Sequence, residues 1–189
     1  MNNVSKKGKV IVLSGKKRVG KDTVSSILSG MISNKGKYFH KIAIAGKIKK
    51  MLSVLTGNSV DAYLDRNKEE VIFKDGLTPR DMYRKLGDLI RDNLGKTYLI
   101  DQVVSKCNRL VDFYDYVFIT DMRYLHEFEE LKKLDPIFIR IKKDVEGDNH
   151  SSEVDLDNLP DSEFDYVIDN NGSLKDLENN LQKLFYDKL

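Results

Sequence analysis

Two hydrophobic rhythms alternate along this chain. Short, largely apolar runs at Lys9–Ser14 (KVIVLS), Tyr38–Ala45, Tyr116–Thr120 (YVFIT), Pro136–Ile141 (PIFIRI) and Phe164–Ile168 (FDYVI) suit strands covered on both faces. Between them the apolar positions recur at helical spacing. Val24, Ile27, Leu28, Met31 and Ile32 fall at i, i+3, i+4, i+7 and i+8, predicting a helix from Thr23 to the break at Asn34–Lys37. Ile48, Met51, Leu52 and Leu55 mark a helix over Lys47–Leu55. Thr78-Pro79-Arg80-Asp81 is a helix start, with a capping Thr, Pro in the first turn and an acid three residues after the cap; this helix is expected to run to Asn93. Further helices are expected over Tyr98–Val111 and Tyr124–Leu134, and a last one is capped by Ser173 and carries Leu174, Leu177, Leu181 and Leu184. Five strands alternating with helices predict an α/β fold: a five-stranded parallel sheet between two helical layers, with right-handed crossovers. Ligands of such folds bind at the carboxyl ends of the strands.

Two stretches escape the rhythm within what reads as one domain over 1–189. Residues 56–77 are polar and irregular and are expected to form a small lobe. Residues 143–163 are expected to form a lid; from Asp144 to Glu163 there is no Lys or Arg. Elsewhere charge is balanced, with 32 Lys and Arg against 30 Asp and Glu and a formal net charge of +2, so charge alone gives no reason to expect nucleic acid as a partner. The single Cys107 supports neither a disulfide framework nor a thiolate metal cluster, and the three histidines are scattered. No apolar stretch approaches the roughly 20 residues that span a bilayer. The run at Val10–Leu13 is shorter than a signal-peptide core, so a cytoplasmic location is the default expectation.

The strongest chemical signal is Gly15-Lys16-Lys17-Arg18-Val19-Gly20-Lys21-Asp22-Thr23, a G-x-x-x-x-G-K sequence between an expected strand and an expected helix. Glycines let the main chain fold tightly around phosphate oxygens, and successive N–H groups with the positive helix end surround the anion. Lys21 can then reach the β and γ oxygens of a nucleoside triphosphate. Ser or Thr usually follows the lysine; here Asp22 stands there, with Thr23 next. A carboxylate beside a triphosphate is repelled unless a cation lies between them. Asp22 therefore either holds Mg2+ while Thr23 bonds a phosphate oxygen, or only complements the helix dipole. Lys16, Lys17 and Arg18 either meet the phosphates of a second nucleotide or form a solvated basic loop.

Thr120-Asp121-Met122-Arg123 follows the third strand, which puts it at the same sheet edge. Asp121 there can order Mg2+ or accept a substrate hydrogen bond, and the planar fork of Arg123 suits bridging of two phosphates; the alternative is a structural Asp–Arg pair. Arg80, Arg84, Lys85 and Arg91 line the helix after Pro79, and Lys49 lies on the helix before it. They either clamp an acceptor phosphate or form a solvated face.

Taken together, LSGKKRVGKDT (Leu13–Thr23), IAGKIK (Ile44–Lys49), TPRDMYRKLG (Thr78–Gly87), ITDMRYLHEFEELKKL (Ile119–Leu134), HSSE (His150–Glu153) and VIDNNGSLKDLENNLQKL (Val167–Leu184) resemble the phage-type deoxynucleoside monophosphate kinases, a branch of the adenylate-kinase-like P-loop kinases. The resemblance spans almost the whole chain. It implies a three-layer P-loop kinase fold with a small acceptor-binding insertion and a short lid. It also implies transfer of the γ-phosphoryl of ATP, with Mg2+, to the 5′-phosphate of a deoxynucleoside monophosphate. Gly15, Lys17, Arg18, Val19, Gly20, Lys21, Asp22 and Thr23 would bind ATP, with Asn171 and Gly172 near the adenine edge. Lys21, Asp121 and Arg123 would act at the phosphates, Asp22 and Asp121 on the metal, and Lys49, Arg80, Arg84 and Arg91 on the acceptor. No membrane or nucleic-acid partner is implied, and a homodimer is compatible.

The chain departs from that pattern in its lid, which lacks the usual arginines. Charge neutralisation then falls to Arg123, Arg18, Arg140, Lys142 or Lys143. Lys142 stands where the family tends to carry Arg, and no Trp follows the LG helix. Two rival readings stay open: a kinase of a small phosphorylated metabolite, of the phosphomevalonate-kinase type, and a nucleotide-binding regulatory module without turnover.

Overall fold

In chain order, a computed structural model of the protein gives β1 (Lys9–Ser14), α1 (Lys21–Asn34), β2 (Phe39–Ile42), α2 (Gly46–Thr56), α3 (Pro79–Leu94), α4 (Tyr98–Leu110), β3 (Tyr116–Met122), α5 (Leu125–Lys132), β4 (Ile137–Lys142), α6 (Ser151–Val154), β5 (Tyr166–Asp169) and α7 (Leu174–Lys188). The structure describes residues 7–59, 61, 76–145 and 150–189. The chain divides into two compact units, one of Met1–Ile42 with Ile100–Leu189 and the other of Ala43–Leu99.

The first unit holds the sheet. Its five strands are all parallel, in the order β2-β3-β1-β4-β5. β1 is central and pairs with β3 on one side and β4 on the other, which is why Val10, Ile11, Val12 and Leu13 are all buried. Side chains alternate across the sheet. Ile11 and Leu13 join Val24, Leu28 and Ile32 of α1 and Leu177, Leu181 and Leu184 of α7 in one core cluster. Neighbouring residues along the strands face the opposite layer, where Phe128 of α5 lies 4.6 Å, centroid to centroid, from Phe138 of β4 and 5.8 Å from Phe164. Cys107 is buried in α4, and that burial pushes its thiol up to about 11.

Element ends differ from expectation in ways that matter for the site. β3 runs on to Met122, because a register shift between Val12 and Ser14 lets Ser14 pair with Met122. Asp121 is therefore a strand residue. α1 starts at Lys21, two residues before the expected Thr23, so the lysine of the loop is the first helical residue. β2 stops at Ile42 because the chain turns at Ala43, whose carbonyl accepts from Gly46 N. β5 begins at Tyr166, after a short 3-10 turn at Asp161–Glu163. The expected cap of α7 forms: Ser173 Oγ accepts from Asp176 N at 3.2 Å, and Asp176 Oδ2 accepts from Ser173 N at 2.9 Å.

In the second unit, α3 opens with the expected capping box. Thr78 Oγ1 accepts from Asp81 N at 3.2 Å, Asp81 Oδ2 accepts from Thr78 N at 3.0 Å, and Pro79 fills the first turn. Gly87 leaves room for α2, since a Cβ there would sit 3.2 Å from Ile48 Cδ1. The small lobe expected at 56–77 lies mostly outside the described residues, as do residues 146–149 of the expected lid. Among the described residues, no helix is long and apolar enough to cross a membrane.

Candidate active site

The loop between β1 and α1 is built by three residues with positive φ: Gly15 (146°), Arg18 (63°) and Gly20 (102°). Such angles cost an ordinary residue energy, and non-glycine residues that adopt them cluster at functional sites. Val19 is buried in the core cluster and pins the crest of the loop, which leaves its main chain, not its side chain, to the loop surface. Lys21 is buried to 9% exposure, and its Nζ donates to Gly15 O at 2.7 Å and Lys16 O at 2.6 Å. The ammonium is thereby drawn back over the loop that it follows. Gly20 caps α1 without a side-chain hydrogen bond. With glycine as its cap, the start of α1 has the form of an anion site, where main-chain N–H groups and the positive helix end point the same way. Asp22 and Thr23 are exposed in that turn. Burial lowers the Lys41 ammonium of β2, and the charge of Asp22 acts against that shift.

Beside the loop, a cavity of about 510 Å³ opens at the carboxyl ends of β1, β3 and β4. Ser14, Gly15 and Lys16 line it, with Met122 and Arg123 after β3 and Arg140, Lys142 and Lys143 at β4. The crossover that leaves β1 runs toward β2 and the one that leaves the adjacent β3 runs the other way to β4, so the strand ends here form the switch point at which ligands bind in open parallel sheets. Arg123 is held by its main chain. Glu127, buried in the first turn of α5, accepts from Arg123 N at 2.7 Å and from Tyr124 N at 3.1 Å. Sequence reading overlooked Glu127, although an acid three residues after a helix cap was the available signal. Asp121, one residue before Met122 on β3, is half-buried and is not a lining residue of the cavity.

The acidic segment over 150–163 closes on this cavity and takes up cations that the sequence offered to phosphate. Asp157 pairs with Lys16 at 2.9 Å. Arg140 donates to Leu156 O at 2.9 Å, to Leu159 O at 2.7 Å and to Asp161 Oδ1 at 2.8 Å, and its guanidinium lies 4.0 Å from the centroid of the Phe164 ring. Lys142 also bonds Asp161. Arg140 thus ties the segment to β4. The segment's other end rests on the β3–α5 junction: Arg123 Nη1 donates to Ser152 O at 3.5 Å, Tyr124 Oη meets Ser151 Oγ at 3.2 Å, and Asp155 Oδ2 accepts from Leu125 N at 2.6 Å. His150 caps α6, its Nδ1 accepting from Ser152 N.

These ties titrate. The hydrogen bond from Lys142, and then that from Arg140, holds the Asp161 carboxyl below its ordinary value. A lowered carboxyl contributes stability above its unfolded pKa, about 3.9, and loses it as pH falls through the folded value. The Asp161 contacts with Lys142 and Arg140 are therefore intact at neutral pH and weaken in acid, while the Arg140 bonds to Leu156 O and Leu159 O do not depend on that carboxyl. A carboxyl-carbon NMR titration should place the Asp161 midpoint below about 3.9, and Lys142→Ala should raise it toward that value.

After β5, Asn171 Oδ1 accepts from Asp144 N at 2.9 Å and Asn171 N donates to Asp169 Oδ1, so Asn171 joins the β4 and β5 ends. Gly172 sits against the Asp176 carboxylate of the α7 cap. It is the preceding Asn170, which sequence reading passed over, that touches the loop: its Nδ2 donates to Val19 O at 2.8 Å.

The structure brings the loop, Arg123 and the residues after β5 together in the first unit. The expected acceptor residues lie in the second. There Arg80 is buried at 6% exposure, Arg91 donates to Asp88 at 2.6 Å, the Thr78 hydrogen bonds hold the Asp81 carboxyl below its ordinary value with a smaller contribution from the charge of Arg84, and Lys49 is half-buried on α2. Among the described residues, no three His, Cys, Asp or Glu group as a ready-made metal cage. Mg2+ carried by a nucleotide needs none, since it keeps waters and phosphate oxygens and takes only one or two carboxylates. The hard oxygens of Asp22 and Asp121 fit that requirement.

Among solved structures, the chain is similar to dephospho-CoA kinase from Campylobacter jejuni, at 15% identity and a TM-score of 0.52 over 94% of this chain and 96% of that one. It is also similar to shikimate kinase from Acinetobacter baumannii, at 15% identity and a TM-score of 0.48 over 97% of each chain. The first of these likenesses shows the three-layer P-loop kinase fold. A search of curated proteins gave no match. The family profile described as deoxynucleotide monophosphate kinase matches residues 58–181, well over half of the chain. The Gly15–Lys21 loop lies before that span, so the match does not draw on it. With that match, the chain belongs to the deoxynucleotide monophosphate kinase family, a family of phosphotransferases.

Proposed function

We propose that this protein transfers the γ-phosphoryl group of ATP to the 5′-phosphate of a deoxynucleoside monophosphate. The observation that carries the reading is the Gly15–Lys21 loop at the carboxyl edge of the sheet, its buried lysine drawn over the loop beside a cavity that Arg123 also lines. The bond between the γ phosphorus and the β–γ bridging oxygen breaks, a bond from an acceptor phosphate oxygen forms, and ADP leaves. The acceptor is already an anion, so no strong base is required. Positioning and charge stabilisation do the catalytic work.

On this reading the main-chain N–H groups of the loop, with Lys17 and Arg18, bind the ATP phosphates, and Lys21 offsets the charge that builds on the β and γ oxygens. Arg123, aimed by the Glu127 cap, spans donor and acceptor phosphates. Asn171 and Gly172 border the base. Lys49, Arg80, Arg84 and Arg91 bind the acceptor, with 56–77 as its lobe, and 143–163 acts as the lid that keeps water out. Mg2+, when bound, neutralises phosphate charge; Asp22 and Asp121 are the groups that would hold it, directly or through water.

A coupled ADP-release assay with MgATP against every deoxy- and ribonucleoside monophosphate tests the reading. Acceptor-dependent ADP release with one or more deoxynucleotides is expected. Turnover only with a non-nucleotide phosphate, or ATP binding without any acceptor-dependent release, would replace it with one of the rival readings.

A further inference from the structure

We propose that Asn170 is a positioning residue that aims the crest of the phosphate loop. The inference rests on the loop's reading as an ATP site and goes beyond it. Asn170 sits just after β5, where its own N–H donates to Lys142 O at 2.8 Å and so fixes its main chain to the end of β4. Its side chain crosses to the loop and donates Nδ2 to Val19 O at 2.8 Å. Val19 O is an acceptor only, so the amide NH2 must face it and the Asn oxygen must face away.

The consequence follows from peptide geometry. In a planar trans peptide the C=O of one residue and the N–H of the next point in opposite directions. A bond that fixes Val19 O therefore fixes the Gly20 N–H on the other side of the same peptide plane. That plane lies between Arg18, at φ 63°, and Lys21, the first residue of α1. If it flipped, a carbonyl oxygen would take the place of an N–H and repel phosphate. The fit at Gly20 is close for the same reason: a Cβ there would stand 2.5 Å from Asn170 Nδ2. Gly20 thus meets two demands, a positive φ and room for the amide that holds its neighbour.

Asn170→Asp keeps the side-chain size but replaces the donor with an anionic oxygen facing Val19 O. Asn170→Ala removes the tie without adding charge. Calorimetry with ATP and with inorganic triphosphate, on wild type and both variants, separates aiming from general loosening. ATP and triphosphate are expected to lose affinity by the same factor, at least about tenfold in Asn170→Asp and less in Asn170→Ala. Adenosine, followed by competition, should bind unchanged, and the unliganded melting midpoint should fall by only about 2–4 °C. Wild-type ATP affinity in Asn170→Asp would overturn the proposal, as would an equal loss for adenosine. If Asn170→Asp does not fold, Asn170→Ala is read with the same ligands; if neither folds, Asn170 is a structural residue and the proposal fails. Wild-type protein that binds neither ATP nor triphosphate defeats the reading of the loop itself, which the wild-type titration alone reveals.

Discussion

Lys21→Ala is expected to lower turnover about 10²–10³-fold while the protein stays folded. The size of the effect comes from where the ammonium sits. At 9% exposure its charge is poorly screened by water, so it acts on a phosphoryl group more strongly than a surface lysine would. Its two bonds to Gly15 O and Lys16 O hold it over the loop before substrate arrives, so little reorganisation is left to the moment of reaction. The charge on the γ-phosphoryl oxygens grows and shifts in the transition state, and for that reason the loss should appear in kcat beyond any rise in KM for ATP. Lys21→Arg should not restore activity, because the longer, planar guanidinium spreads its charge and does not place it where the compact ammonium sits. The check is steady-state kinetics beside a melting curve. Near-native kcat in a folded Lys21→Ala protein would remove Lys21 from catalysis.

The loop was legible in the sequence because its constraints are local. Glycine spacing, a lysine and a flanking strand and helix lie within fifteen residues, and each has one physical meaning. The capping boxes at Thr78 and Ser173 were legible for the same reason, as acid follows cap by three residues in both. What stayed hidden depends on pairs far apart in sequence. Asn170 and Val19 are 151 residues apart, and nothing in an Asn-Asn pair says which member will face the loop. The tie of Arg140 to Leu156, Leu159 and Asp161 was hidden likewise. The sequence offered Arg140 to phosphate, and only the folded chain shows that the acidic segment has taken it. The end of β3 was misjudged by two residues because the shift opposite Ser14 is set by strand pairing, which periodicity does not encode.

Gly15→Ala should damage both stability and nucleotide binding, in contrast to Gly30→Ala in the same unit. At Gly15 the φ of 146° disfavours any side chain, and the added Cβ would stand 2.4 Å from Ile141 O and 2.8 Å from Val19 Cγ2. Neither neighbour can yield cheaply. Ile141 O belongs to the main chain of β4, inside the sheet, and Val19 is packed in the core at 1% exposure. Strain at such a φ costs about 1–3 kcal/mol and overpacking a similar amount, so the loop has to move, and with it the N–H groups that would meet phosphate. At Gly30, inside α1, an added Cβ meets nothing within 4 Å, and alanine should stabilise the helix by up to about 1 kcal/mol. Melting midpoints should thus move in opposite directions, by about 2–4 °C for each kcal/mol, and calorimetry should show ATP binding lost in the first variant and kept in the second. If Gly15→Ala instead melts with wild type and binds ATP equally well, the close approach of the loop to β4 is not what shapes the site.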